Sequence, residues 1–386
     1  MWPPASICSC AERKAKVMDK RTFLKTGLCG TACTLLSPRQ LLGHVPDKPW
    51  KWSLRAMYQV ETPKGIRCQI CPNECTLKEG ELSDCRNRRV YDGTLHTIAY
   101  GNPCAVHVDP IEKKPLYHFY PESEAFSIAT AGCNLACLNC QNWTISQSSP
   151  EETKNYDLFP EQVVAQAKKY HCSSIAYTYS EPITWYEYMY HTAQLAREAG
   201  VKNVLVSAGF IKQEPLLNLC SVIDAANIDL KSMDDNIYLK LNAGKLQPVL
   251  DTLKTLKDEG VWLEITNLVV PSWTDDLEMI QRMCSWLAQN GFSDTPLHFS
   301  RFHPQYKLQK LPITPLATLE AAKEAALTEG LKFVYIGNVP GSDAVHTHCP
   351  RCGKILVERS GYRIQRMRIS GGKCPDCDEP IAGHWN

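Results

Sequence analysis

The sequence of 386 residues has no run of about 18 apolar residues, so it offers no conventional membrane-spanning helix. Nor does either sign of charge dominate: 42 lysines and arginines against 41 aspartates and glutamates leave a formal net charge of +1. With that balance and no basic stripe, nothing argues for nucleic acid or another polyanion as a partner. No internal repeat or low-complexity tract is evident, so a repeat architecture is not expected. What the chain holds in excess is cysteine, 19 residues of it. Eleven fall into three tight groups where a disulfide framework would scatter them, so metal and iron–sulfur ligation is the better account. The 44% of apolar residues is enough for a substantial core, one large domain with satellites.

The middle group is the one around which the chain is organised. Cys133, Cys137 and Cys140 stand in a C-x3-C-x2-C spacing, on a glycine-led loop after the apolar run Phe126 to Ala129. Three thiolates this close can converge on one inorganic cluster but cannot pair evenly among themselves. A [4Fe-4S] cube needs four ligands, so one iron stays open to something that is not protein. Three reduced cysteines in a loop, or a zinc site short of a ligand, are the plainer alternatives.

The other two groups look closed. Cys68, Cys71, Cys75 and Cys85 supply four ligands within eighteen residues, among prolines and glycines that leave little apolar material for a core. A knuckle of that size needs a metal to fold; zinc is the first choice and a second cluster the alternative. Cys349, Cys352, Cys374 and Cys377 form paired C-P-x-C knuckles around a β-rich stretch from 354 to 370, the pattern of a zinc ribbon. Cys104, His107 and His118 are lone candidates, a type more often packed or solvated than ligating.

Four regions follow: a leader over 1–45, a cysteine-rich region over 46–121, a main domain over 122–340 and the ribbon over 341–386. The leader has a basic stretch, Asp19 to Lys25, and a short apolar one, as export signals do. It resembles a twin-arginine signal with Lys20 in place of the first arginine, and Met18 just before it is an alternative start. A vestigial or disordered leader on a cytoplasmic protein is the other reading. Residues 37–66 read as an irregular linker and 94–121 as a short strand pair.

From 126 to 338, β-branched runs alternate with segments of helical period. The strands expected are 126–129, 174–179, 203–208, 225–230, 261–270, 297–302 and 333–337, with helices over 160–171, 183–199, 248–259, 276–289 and 315–330. Repeated β-then-α units imply an α/β fold with a parallel sheet, a barrel or partial barrel of the (β/α)6 type, whose reactive groups belong on the loops after the strands. Those loops carry Glu181, Ser207, Asp229 with Lys231, Thr266 with Asn267, Arg301 with His303, and Asn338. Each has a bland reading as a cap. Together, Glu181, Ser207, Asp229, Lys231 and Asn338 are the types that would hold a zwitterionic amino acid joined to an adenosine.

The motif Gly132-Cys-Asn-Leu-Ala-Cys-Leu-Asn-Cys-Gln-Asn142, with Tyr179-Ser-Glu-Pro182, Asp229-Leu-Lys231, His298 to Pro304, Tyr335 to Pro340 and the terminal ribbon ending near Trp385, resembles the radical S-adenosylmethionine (SAM) superfamily. More closely it is similar to the AmmeMemoRadiSam-system enzymes, relatives of the pyruvate formate-lyase activating enzymes. The resemblance implies a partial TIM barrel of the radical SAM kind and a [4Fe-4S] cluster on Cys133, Cys137 and Cys140. It also implies SAM on the fourth iron, with Glu181 orienting its amine, and reductive cleavage to methionine and a 5′-deoxyadenosyl radical that abstracts hydrogen from a substrate. It further implies a one-electron reductant of the flavodoxin or ferredoxin type, a small-molecule, nucleoside or protein substrate, and Memo-like and AMMECR1-like partners. Asn139, before Cys140, departs from the family's usual aromatic residue. Activation of a glycyl-radical partner is the catalytic alternative; a non-catalytic Fe-S or zinc adaptor is the third.

Overall fold

The computed structural model describes residues 50–385, so the leader lies outside the described residues. A short strand Leu54–Arg55 (β1) precedes a hairpin of Gln59–Thr62 (β2) and Gly65–Cys68 (β3), which Thr76–Leu77 (β4) extends. Arg88–Tyr91 (β5) and Thr94–Thr97 (β6) form a second hairpin, with β1 on the free edge of β6. The stretch expected to be a linker therefore contains strands. They are short and carry no long β-branched run, so they do not announce themselves.

Ala105–Pro110 (β7) then pairs antiparallel with Glu124–Ala129 (β8). From β8 the sheet runs parallel through Ser174–Tyr177 (β9), Lys202–Ser207 (β10), Ala225–Asp229 (β11), Trp262–Val269 (β12), Leu297–Arg301 (β13) and Val334–Gly337 (β14). Each strand lies beside its neighbour in sequence, with β7 and β14 at the two edges: a (β/α) barrel wall left open. The strand pair expected over 94–121 is not formed. β6 belongs to the small sheet and β7 to the large one, because β7 finds a longer partner in β8.

All four residues of β9 are buried, so both faces of the strand are covered, one by helices and the other by the inside of the barrel. Leu277–Gln289 shows how the sequence produces such a helix. Asp276 caps it by accepting from the Glu278 and Met279 amides, and Met279, Ile280, Met283, Cys284 and Leu287 form one buried stripe. The helical pieces that were not anticipated include Gln213–Cys220, which carries Pro215 in its first turn, and a π-helical turn, Tyr238–Asn242.

The C-terminal module, Thr347–His348 (β15), Ile355–Ser360 (β16) and Arg363–Met367 (β17), docks at the N-terminal ends of the barrel strands. Glu264, near the start of β12, accepts the amides of Tyr117 and His118 at 3.0 and 2.7 Å and pairs with His298 at 2.7 Å. His118 in turn reaches Ala382 O at 2.7 Å and the Tyr335 hydroxyl at 2.5 Å, joining barrel and module. The loops at the opposite ends of the strands are left clear. Among the described residues no helix is long and apolar enough to cross a membrane.

Candidate functional site

The loop over residues 130–142 leaves the C-terminal end of β8 and is pinned by the loops of its neighbours. Glu181 N–H donates to Gly132 O at 3.4 Å, Asn134 Nδ2 to Phe210 O at 2.8 Å, and Lys307 N–H to Leu138 O at 3.1 Å. The Ala136 and Leu138 amides donate to Asn242 O and Leu241 O at 3.0 and 2.9 Å, so the π-helical turn grips the loop. That turn ends on Ala243 in the left-handed region, φ 55°. A π turn widens the helix by one residue and marks functional sites more often than plain scaffold.

Each of the three thiols meets a polar hydrogen. The Leu135 amide donates to Cys133 Sγ at 3.4 Å, Asn242 Nδ2 to Cys137 Sγ at 3.2 Å, and Ser146 bonds Cys140. Burial, reinforced by the charges of Glu181 and Cys137, raises the Cys133 thiol well above its ordinary range; burial also raises Cys140. Ligation would release those protons, and the donors would then tune a bound cluster. Around the loop the side-chain oxygens of Asn134, Asn139 and Asn242 are buried without a partner. Unfilled acceptors of this kind suit a ligand rich in amine and hydroxyl donors. The residues present therefore fit a cluster on three thiolates with SAM beside it.

Glu181 caps the short helix Pro182–Trp185 and is 3% exposed. Its carboxylate accepts from Ser207 Oγ at 2.7 Å, Ala208 N–H at 2.9 Å and Ile183 N–H at 3.2 Å. Burial raises its pKa; those three donors oppose the rise and keep an anion tenable. Lys231 pairs with Asp229 at 2.7 Å, and its backbone amide donates to the buried Tyr238 hydroxyl at 3.0 Å. Burial pulls Lys231 down, but Asp229 and Cys137 outweigh it and hold the ammonium above its ordinary range. Asn338, by contrast, is exposed at the end of β14, with φ 60° and its amide on Arg301 O at 3.3 Å. Thr266 and Asn267 bond Asn227 and Leu230 within the sheet. Asn242 and Tyr238 escaped the sequence reading because no strand announces the turn that carries them.

Residues 127–284 match the family described as the radical SAM superfamily. The chain belongs to the radical SAM superfamily. It is a radical SAM enzyme whose substrate the sequence does not name. The uncharacterized protein MJ0808 of Methanocaldococcus jannaschii is 46% identical over 318 residues, 82% of this chain and 95% of that protein. The pyruvate formate-lyase 1-activating enzyme of Escherichia coli K12 is 29% identical over 219 residues, covering 53% of this chain and 89% of that one. Among solved structures, a radical SAM methyltransferase from Sphaerobacter thermophilus aligns over 80% of this chain and 82% of that chain, at 12% identity and a TM-score of 0.45.

Two more cysteine groups lie outside this loop. In the C-terminal module Cys349 Sγ lies 3.6 Å from Cys377 Sγ and Cys352 Sγ 3.7 Å from Cys374 Sγ. Sulfurs bound tetrahedrally at 2.3 Å sit about 3.8 Å apart, so this group is spaced for one metal ion. Cys68, Cys71, Cys75 and Cys85 instead line a cleft on the face of the barrel that carries the Cys133 loop. Of the lone candidates, His107 packs edge-on against Tyr179, His118 is buried in the contacts to the C-terminal module, and Cys104 is half-buried.

Proposed function

We propose that Cys133, Cys137 and Cys140 hold a [4Fe-4S] cluster whose fourth iron takes SAM, the pair supplying a 5′-deoxyadenosyl radical that abstracts hydrogen from a substrate. The observation that carries this reading is a loop with three cysteines and no fourth, gripped by four neighbouring loops, with a buried carboxylate and a lysine facing it. Glu181, its carboxyl held by Ser207 and two amides, would accept the SAM amine. Lys231 would meet its carboxylate and Asp229 its ribose, with Asn338 as a further ribose partner. Asn139, buried with a free acceptor oxygen, would face the adenine edge where an aromatic is usual. The C-terminal cysteines would hold zinc as a structural clamp.

The test is anaerobic protein, SAM and dithionite. We expect 5′-deoxyadenosine and methionine in equal amounts, and neither from Cys137→Ser. Undiminished product from that variant would refute the reading. Tracing deuterium from a labelled metabolite pool into 5′-deoxyadenosine would then find the substrate.

The relationship to the E. coli activating enzyme favours a second reading, in which the hydrogen comes from a glycine of a partner protein. A glycyl doublet in the electron paramagnetic resonance (EPR) spectrum of a co-purified partner would support it. We also group the chain with the AmmeMemoRadiSam enzymes, with Memo-like and AMMECR1-like proteins as partners and a flavodoxin or ferredoxin as electron donor; co-purification tests this.

A further inference from the structure

We propose that Cys68, Cys71, Cys75 and Cys85 hold a second four-iron cluster, seated against the first cluster's loop, rather than a zinc ion. The chain contains its own standard of comparison. Among the described residues, Cys349, Cys352, Cys374 and Cys377 are the one set whose ligating atoms all lie within 4.8 Å of one another. The N-terminal four offer the same ligand type in the same number, yet they do not draw together to that spacing. Instead they surround a cleft, partly open to solvent, with Ile70 and Ile183 in its walls. The triad of Cys133, Cys137 and Cys140 likewise stays wider than the zinc spacing. A single ion pulls four sulfurs to about 3.8 Å from one another. A cube of irons and sulfides holds its thiolates further apart and needs room between them.

The surroundings suit a buried anionic cluster. Arg88 lines the cleft with its side chain 1% exposed, and its charge acts on both Cys68 and Cys85. It is fixed by a two-pronged pair with Glu187 at 3.0 and 2.9 Å. Ser83 Oγ lies 3.1 Å from Cys85 Sγ and would donate to the thiolate. The Cys75 thiol donates to Asp84 at 3.4 Å, and that is the proton ligation would displace.

The cleft also shares a wall with the radical SAM loop. Asn73 Nδ2 donates to Asn134 O at 2.9 Å, and Asn134 itself lines the cleft. On the other side a Cβ on Gly132 would meet Cys85 O at 2.5 Å. Gly132 and Asn134 flank Cys133, so the ligands of both sites stand on touching backbone.

Metal counting with 57Fe Mössbauer spectroscopy on anaerobically purified full-length protein tests this independently of SAM cleavage. We expect about eight irons and one zinc per chain, from two clusters and one ribbon. A Cys133→Ala, Cys137→Ala, Cys140→Ala variant, inert towards SAM, should keep about four irons with a [4Fe-4S] doublet. Adding Cys71→Ala and Cys85→Ala should remove them while the ribbon zinc remains. About four irons and two zincs in the unaltered protein would overturn the proposal whether or not the variants fold.

Discussion

The Glu181 carboxylate and the Ser207 hydroxyl meet at 2.7 Å, tying the loop after β9 to the end of β10 beside the residues that carry Cys133. The bond explains how a carboxylate persists in so buried a place. Replacing it by Glu181→Gln keeps the shape and removes the charge. Loss of one charged hydrogen bond, worth about 1.5–3 kcal/mol, should weaken SAM binding roughly 10- to 100-fold, with iron content unchanged. Equilibrium binding to anaerobic protein measures it.

Gly132 carries a second prediction. Its φ is 97°, and a Cβ there would meet Cys85 O at 2.5 Å and the Asn87 side chain at 2.6 Å. Neither the backbone angle nor the backbone oxygen can yield cheaply. Gly132→Ala should cost about 2 kcal/mol or more and lower the iron bound per chain, read by denaturant unfolding and metal analysis.

Arg88 and Glu187 form a buried ion pair, 1% and 0% exposed. Glu187 also accepts the Met57 amide at 2.8 Å, so it holds the N-terminal sheets to the barrel. Glu187→Gln leaves the guanidinium buried and unpaired, and should destabilise by about 3–5 kcal/mol. Arg88→Met with Glu187→Leu should cost less than Glu187→Gln alone. Thermal unfolding of the single and double variants decides.

Acid should loosen the C-terminal module. Burial holds His118 down to about 4 from an ordinary 6.5. With Nδ1–H on Ala382 O, its Nε2 must accept from Tyr335, and a proton there would break that bond. The unfolded chain takes up this proton below about pH 6.5, while the folded chain does so only near 4. The His118 contribution is therefore whole above 6.5 and lost as pH falls towards 4, up to roughly 3 kcal/mol. His118→Gln should flatten that part of the stability profile.

The seven parallel strands were legible as short runs set among segments of helical period, although Ala225–Asp229 and Leu297–Arg301 hold one β-branched residue between them. The strand at β7 was legible too, but its pairing was not, since its partner is chosen by length and burial rather than by nearness. In the site, the three cysteines and the carboxylate at 181 announced themselves by type and spacing. Asn242 did not: it is 105 residues from Cys137 and reaches it only because a π turn bends back on the loop. Spacing also could not separate zinc from a cluster at Cys68 to Cys85, because both need four thiolates. The wide setting of those sulfurs around a cleft is what the proposal of a second cluster rests on.

The most direct measurement is EPR spectroscopy of the dithionite-reduced protein with and without SAM. If the Cys133 loop leaves an iron for SAM, adding SAM shifts the signal of one reduced cluster, and the shift is absent in Cys137→Ser. A spectrum indifferent to SAM, or a shift that survives Cys137→Ser, would contradict the assignment of the chemistry to that loop.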